Sequence, residues 1–530
     1  MSRTTGPLVL LAVLALAVPT GAAAGEDDGL PHALPPARGV VAHASAVAPL
    51  PARWMLIARP ARTTARLAHV FAAEPLRLRG TYVVTTSRAR ALAAALRRRG
   101  LLRGAEPDVA LRRASADEAD PFGYARGTIV APALTPPAAF APIGLVDDVV
   151  DATVPDVAQA KVISASPGKV LNLGGGAEVA HGTEVASVAA GRADGQGVIG
   201  VAPGAPLLSF GYKTMSCAEV SDGILALADA GAKVINLSFE AAGDCHALRL
   251  ASAAAFGEGA VVVAAAGNDG QDGNPTVYPA AYPHVLTVGS LDLGLAPAAD
   301  SSSGRDLDLA APGEAIPVAL PPALDQDGTA DGLTRNSGTS FAAPMVSGAA
   351  SWLIAARPGL TAGQYADLLR ATAKDVATPG WDPHTGYGLP DLAAALTAPV
   401  PAADRGEPDD AIEQVDGTAF EKPDPYVTKP VSATVAPVED PADVHRVRVK
   451  AHASILARVT STASATALTA AAYSGATITL SSATPLARGR ALRLRNTTNK
   501  PRAFYVVVRA PGTASRQRPA TPYTLTLRKG

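Results

Sequence analysis

At 530 residues the chain is too long for one hydrophobic core and implies two or three domains. With 48% hydrophobic and 18% charged residues it is globular rather than disordered, and a net charge of −1 excludes a global attraction to nucleic acid or to a membrane surface. That small sum hides an asymmetry: residues 25–113 carry 15 Arg against 6 acids, residues 114–400 carry 12 basic against 30 acidic residues, and residues 401–530 carry 18 against 11.

Residues 1–24 have an early Arg3, a short apolar run over 8–18 and a small-residue end, Ala22-Ala23-Ala24. This is the pattern of a secretory signal peptide, since the apolar run is shorter than the about 20 residues that span a bilayer. No later stretch reads as a stable membrane span, so the product is expected to be secreted and extracellular. Within 25–113, strands are predicted over 54–58 and 81–86. A helix is predicted over 87–99 with Ser87 as cap, Leu92 and Leu96 on one face and Gly100 as its stop, followed by a closing strand over 109–111. Residues 114–142, rich in Ala, Pro, Asp and Gly, read as an exposed linker open to proteolytic nicking.

The middle of the chain alternates strand and helix. A buried strand over 143–146 ends at Asp147. The segment His181-Gly182-Thr183 opens a small-residue helix, and strands follow over 207–210, 234–238 and 261–268, with a helix over 220–230 between the first two. Such alternation implies a parallel sheet with helices on both faces, whose sites gather at the carboxyl ends of the strands. Asp147 there is either a turn residue or a site acid. Asn268, in Gly-Asn-Asp-Gly, is either a turn residue or an amide donor. The stretch 336–353, N-S-G-T-S-F-A-A-P-M-V-S-G-A-A-S-W-L, reads as a tight turn opening onto a buried helix. Ser340 at that junction is either a helix cap or a nucleophile at a helix N-terminus, and Pro344 is tolerated in the first turn. The two cysteines, Cys217 and Cys245, suffice for one disulfide in an exported protein, and their spacing does not suggest a zinc site. After a Pro/Ala/Asp linker at 398–407, short strands over 444–449, 455–459, 491–494, 504–508 and 523–527 suggest a β-sandwich without a catalytic cluster.

The motifs G-T-S-x-A-x-P-x-V-x-G at 338–348, H-G-T-x-V-A at 181–186, A-A-G-N at 265–268 and the strand ending in Asp147, in the order Asp, His, Ser, resemble those of the subtilisin-like serine proteases, the subtilases. The resemblance covers about residues 143–396. It implies a doubly wound α/β fold and a serine endopeptidase in which Ser340 attacks, His181 is the base, Asp147 orients it and Asn268 donates to the oxyanion. It also implies a substrate groove bounded by Leu237, Ser238, Phe239, Ala265 and Gly267, and no cofactor for the chemistry. A structural calcium held by Asp194 of the loop Gly191–Pro203, with Asp156 as the distant carboxylate, is an alternative to a plain Gly/Asp turn in that loop. The sequence departs from the family at Asp148-Val149, Glu184, Phe239-Glu240 and Met345, which leaves a catalytically impaired, surface-binding subtilase-like protein as the other reading. The segment 25–113 resembles the subtilase propeptide. Residues 399–530, from Glu407-Pro408-Asp409-Asp410 on, resemble the pre-peptidase C-terminal domain of secreted bacterial peptidases. The implied layout is signal 1–24, propeptide 25–113, processing linker 114–142, peptidase domain 143–398 and C-terminal sandwich 399–530. The implied partners are protein or peptide substrates and the chain's own propeptide, with the protein a monomer.

Overall fold

The structure, a computed structural model, describes residues 49–109, 112–113, 125–130, 134–163, 180–462, 468–474, 485–510 and 520–530, apart from a few single residues and the pair 195–196 within these spans. The predicted signal segment and residues 114–124 and 131–133 of the linker lie outside the described residues.

The first strand, β1 (Pro49–Ala58), is followed by α1 (Arg62–Val70), β2 (Glu74–Pro75), β3 (Thr81–Thr85), α2 (Thr86–Arg97) and β4 (Leu102–Val109). They form an antiparallel sheet in the order β2-β3-β1-β4. The period of two along the strands sorts its faces. Leu56 and Val84 pack with Leu92 and Leu96 under the sheet's own helices, while Met55 and Val83 face away and pack with residues of the next domain. Helix α2 starts one residue earlier than the sequence suggests, behind Thr85. The closing strand is also longer and earlier than 109–111. Glu106-Pro107-Asp108 belongs to β4 at the sheet edge, where a proline removes no needed donor. A two-residue strand, β5 (Arg112–Arg113), leaves this domain and pairs antiparallel with Phe239–Glu240 of the next.

The segment 114–142 is not an exposed linker throughout. In α3 (Ala125–Ile129) and just after it, Ile129 and Val130 are buried, and Phe140 meets Trp352 edge-on with centroids 5.3 Å apart. Next come β6 (Ile143–Asp147), β7 (Ala160–Val162), α4 (His181–Ala190), β8 (Leu207–Gly211), α5 (Cys217–Asp229), β9 (Val234–Leu237), β10 (Phe239–Glu240), α6 (His246–Gly257), β11 (Val261–Ala265), β12 (Val285–Leu291) and β13 (Leu309–Pro312). Seven of these strands form a parallel sheet in the order β13-β12-β11-β9-β6-β8-β7. A hairpin of β14 (Ile316–Ala319) and β15 (Leu333–Asn336) leads into α7 (Thr339–Ala356), and α8 (Ala362–Ala371) and α9 (Leu392–Thr397) complete the domain. Alternation again divides the core: Leu145 and Val263 face α4 and α7, while Val146 and Val262 face α5 and α6. Helix α7 is apolar nearly all round because it lies inside the molecule, with Thr339 through Leu353 all buried. Its composition would suit a membrane span, but its place is a core helix.

Cys217 is the first residue of α5 and Cys245 the N-cap of α6; the two are disulfide-bonded, with Cα atoms 6.5 Å apart.

After α10 (Ile412–Val415) come β16 (Val431–Val435), β17 (Ala442–Val449), β18 (Ser454–Thr460), β19 (Thr469–Ser474), β20 (Ala487–Arg488), β21 (Ala491–Arg495), β22 (Arg502–Arg509) and β23 (Thr521–Lys529). They form two four-stranded sheets, β16-β23-β18-β21 and β17-β22-β19-β20. Val447, Val459, Leu494, Val506 and Leu525 fill the space between the sheets. On the outer face of β17 and β22, Val444, Tyr505 and Val507 pack on Ile412 and Val415, so α10 caps the sandwich.

Candidate active site

Four of the sequence-selected residues stand at one end of the parallel sheet. Asp147 ends β6 and is 1% exposed, and His181 starts α4 and is 4% exposed. Nδ1 of His181 lies 2.9 and 3.0 Å from the two carboxylate oxygens of Asp147. The main-chain N–H of Asp148 donates to Asp147 Oδ1 at 2.7 Å, which holds the carboxylate from its other side. The close approach of β6 and α4 depends on Gly182, where a Cβ would collide with the Asp148 carbonyl. Val149 is accommodated the same way, because Gly211 on the neighbouring strand leaves room for its Cγ2.

Helix α7 opens after Gly338, whose φ of 130° favours glycine. Ser340 is the second residue of the helix and fully buried, and its Oγ donates to the Ser238 carbonyl at 3.2 Å, while Ser238 Oγ donates to the Ser340 carbonyl at 2.8 Å. The Phe341 ring lies 5.8 Å from the His181 ring between centroids. Asn268 follows β11. Its Oδ1 accepts from both the N–H and the hydroxyl of Thr339, at 2.9 and 3.1 Å. That leaves the amide nitrogen Nδ2 turned the other way, buried and without a hydrogen-bond partner among the described residues. A buried donor left unmade is costly, and such groups belong to sites where a ligand atom completes them. Thr339 orients Asn268 and was not singled out in the sequence, although it stands beside Ser340 in G-T-S.

The groove residues are presented through their main chains. Leu237, Ser238, Phe239 and Ala265 are buried, and the Phe239 side chain joins the core under α5 and α6 rather than facing a groove. The free edge at Phe239–Glu240 instead receives an extended segment: Phe239 pairs with Arg113 and Glu240 with Arg112. Glu240 is 3% exposed, beside Gly267, where a Cβ would meet its carboxylate. Glu184, also buried, accepts from the Asn336 side chain at 2.9 Å, tying α4 to the strand that leads into α7.

Asp156 Oδ1 accepts from the Val198 N–H at 2.6 Å, and its main-chain carbonyl accepts from Arg192, so it holds the loop that follows α4. Burial pushes its carboxyl up, and Asp194 is close enough to add to that shift. Asp156 and Asp194 offer carboxylate oxygens, the ligand type a hard cation takes; the carbonyl of Gln196 lies outside the described residues.

The N-terminal domain meets this domain through two carboxylates that sequence reasoning missed. Glu106 accepts from the N–H groups of His246 and Ala247, at 3.0 and 3.1 Å, and Asp108 accepts from Ala218 at 3.2 Å. Each caps the N-terminus of a helix, α6 and α5 respectively, from another domain. Their only sequence signal was an acid on either side of Pro107.

An imidazole bound to a buried carboxylate, a serine in the first turn of a buried helix and an amide donor without a partner among the described residues are the groups a serine-type hydrolase requires. Residues 143–388 match the subtilase family, Peptidase_S8. The chain is 34% identical over 261 residues to subtilisin DY of Bacillus licheniformis, covering 48% of this chain and 89% of that protein. It is 34% identical over 286 residues to fervidolysin of Fervidobacterium pennivorans, covering 49% of this chain but only 41% of that protein. The crystal structure of fervidolysin, described as a keratinolytic enzyme related to subtilisin, superposes with a TM-score of 0.56 at 19% identity over 86% of this chain and 85% of that one, a likeness of fold. The chain belongs to the subtilase family, a family of serine-type endopeptidases.

Proposed function

We propose that the protein is a secreted serine endopeptidase, made as a zymogen and activated by its own cleavage. Ser340 Oγ attacks the scissile carbonyl and passes its proton to Nε2 of His181. Asp147 fixes the imidazole with its proton on Nδ1 and stabilises the charged ring that forms. The carbonyl oxygen, now negative, is held by Asn268 Nδ2 and the main-chain N–H of Ser340 at the start of α7. Collapse of the tetrahedral adduct protonates the leaving amine from His181 and leaves an acyl-enzyme on Ser340. Water, deprotonated by the same imidazole, releases the second product.

The observation that carries this reading is the pair of bonds between His181 Nδ1 and Asp147, at the strand end that faces the opening of α7. The substrate runs as an extended chain along the main-chain edge of Leu237, Ser238 and Phe239, opposite Ala265 and Gly267. The pairing of Arg112–Arg113 with Phe239–Glu240 supports this, since it puts an extended segment of the chain itself at that edge. The domain ending at Arg113 is then a propeptide, docked on α5 and α6 and leading its tail toward the groove. A calcium ion held by Asp156 and Asp194 would steady the loop after α4 and take no part in the chemistry. A serine-directed fluorophosphonate is expected to label the processed protein and to fail on Ser340→Ala. Absence of labelling on the processed wild-type protein would favour the catalytically impaired, surface-binding alternative.

A further inference from the structure

Between the N-terminal domain and the C-terminal sandwich lies an open cleft of about 410 Å³, with the turn after α10 as its third side. Small-ligand sites have this size, about 300–1,000 Å³. Arg59, just after β1, stands on one side. Arg446 of β17 faces it with Arg502 and Tyr505 of β22, and Asp416 and Thr418 line the turn. Three arginines thus share the cleft with one acid, and that acid is already engaged. Asp416 Oδ1 accepts from the Thr418 N–H at 2.8 Å, and Oδ2 lies 3.5 Å from Nη2 of a fourth arginine, Arg103 of β4. Among the described residues Arg59, Arg446 and Arg502 form no ion pair.

A second observation is independent of the count of charges. Arg446 donates from Nη1 to the Asp424 carbonyl at 3.0 Å and rests on the Tyr426 ring, 4.2 Å from its centroid. Its Nε is buried and has no hydrogen-bond partner among the described residues. Nε and Nη2 of Arg103, a side chain only 8% exposed, are in the same condition. Buried donors left unmade are costly, and a bound acceptor removes that cost. Burial lowers the pKa of Arg103, and the Arg59 charge acts in the same sense against the pull of Asp416, a mark of surplus positive charge.

We propose that this cleft binds a small, multiply charged oxyanion of the phosphate or sulfate type, held by guanidinium groups of two domains. The planar fork of arginine matches two oxygens of such an anion at once, which a lysine does not do. Several uncompensated guanidinium groups on one cleft call for more than one negative charge. The groups are carried on fixed main chain: Arg59 N–H donates to the Leu101 carbonyl at 2.7 Å, and Arg502 pairs with Val449 in the sheet. An anion here fastens the N-terminal domain to the sandwich. The site belongs to the uncut chain and takes no part in peptide hydrolysis, so it stands whether or not the chain cleaves peptides.

The test is calorimetric titration of inorganic phosphate and of sulfate into the full chain as Ser340→Ala, which removes self-cleavage, with ionic strength held constant by chloride. One saturable site per chain is expected, weakening as the chloride is raised. Arg59→Gln and Arg502→Gln, at exposed positions in different domains, should each weaken binding at least about tenfold. Arg502→Lys should lose less than Arg502→Gln, because it keeps the charge. Phosphate should also slow amide hydrogen exchange on both walls, around Arg59 and around Arg502. If neither anion shows saturable binding to the parent chain, the proposal is overturned, and this arm does not depend on any cleft variant folding. Unchanged affinity in either glutamine variant would overturn it too, since the site would not then span the two domains. Exchange slowed on one wall alone would do the same.

Discussion

His181 and Asp147 come from the start of one helix and the end of one strand, and their bond needs the two main chains closer than most side chains allow. Gly182 makes that approach possible on one side, and Gly211 makes room for Val149 on the other. Replacing Asp147, His181 or Ser340 by Ala is expected to lower kcat by about 10⁴–10⁶, and Asn268→Ala by about 10²–10³. Steady-state kinetics on a peptide substrate checks this. Near-native activity in Asp147→Ala together with loss in Asp148→Ala would move the acid to the neighbouring residue. Gly211→Ala is expected to cost about 1–3 kcal/mol by overpacking against Val149. The cost should shrink in a Val149→Gly background, which a double-mutant cycle of denaturation midpoints measures. Additive effects would mean that the two sites do not touch.

Helices α5 and α6 meet both a covalent link and the N-terminal domain. Their N-termini are joined by the Cys217–Cys245 disulfide and capped by Asp108 and Glu106 of the N-terminal domain. Cutting the disulfide, by Cys217→Ala with Cys245→Ala, is expected to lower stability by about 3 kcal/mol, read from chemical denaturation with and without reductant. The Glu106 carboxyl carries a pH dependence. Burial pushes its pKa from 4.5 to about 7, against the pull of the His246 and Ala247 amides, and burial moves Asp108 in the same direction. A carboxyl that holds its proton more tightly when docked makes docking most favourable below about pH 4.5. That advantage, on the order of 3 kcal/mol, is lost as pH rises through about 7. Anisotropy of a labelled N-terminal domain added to the Ser340→Ala catalytic part should therefore show weaker binding at pH 7.5 than at pH 5 (roughly the two sides of that shift). Glu106→Gln should reduce the slope, and a slope unchanged by it would place the titrating group elsewhere.

Across the whole molecule the charge asymmetry has a physical address. The basic N-terminal domain lies on the acidic peptidase domain, with Arg77 against Asp222 and Asp229, and Arg53 against its own Asp108 beside α5. The first two pairs are exposed enough that salt screens them, so they serve orientation and rate more than affinity. The buried pair of Arg103 with Asp416 links the N-terminal domain to the segment before the sandwich as well. If the N-terminal domain is a removable inhibitor, Ser340→Ala made alone stays uncut, and active wild-type enzyme begins between residues 114 and 142. Edman sequencing of the active enzyme reads this directly; active enzyme beginning at Gly25 would make the domain a permanent part of the protein.

The middle domain was legible in the sequence because its elements are local and repetitive. Buried parallel strands such as 261–265 read as apolar runs, and the His-Gly-Thr and Gly-Thr-Ser openings mark helix starts whose chemistry depends on position in a turn. The class of fold follows from that, whereas the selection of Asp147, His181, Asn268 and Ser340 over ordinary turn and cap residues came from the resemblance of their motifs to those of the subtilases. Pattern failed where a residue's role depends on a partner far along the chain. Nothing local marks Glu106 and Asp108, whose carboxylates are taken by two helix ends more than a hundred residues away. Phe239 looks like a groove residue until the packing of α5 and α6 takes its ring into the core. Glu407-Pro408-Asp409-Asp410 marks the start of the C-terminal domain in the sequence, but not that Asp440, Asp443 and His284 gather beside it. Local propensity determined which elements form. Burial determined what their polar side chains must find, and only the tertiary structure decided which ones meet, because the cost of an unpaired buried charge is set by neighbours that sequence distance does not reveal.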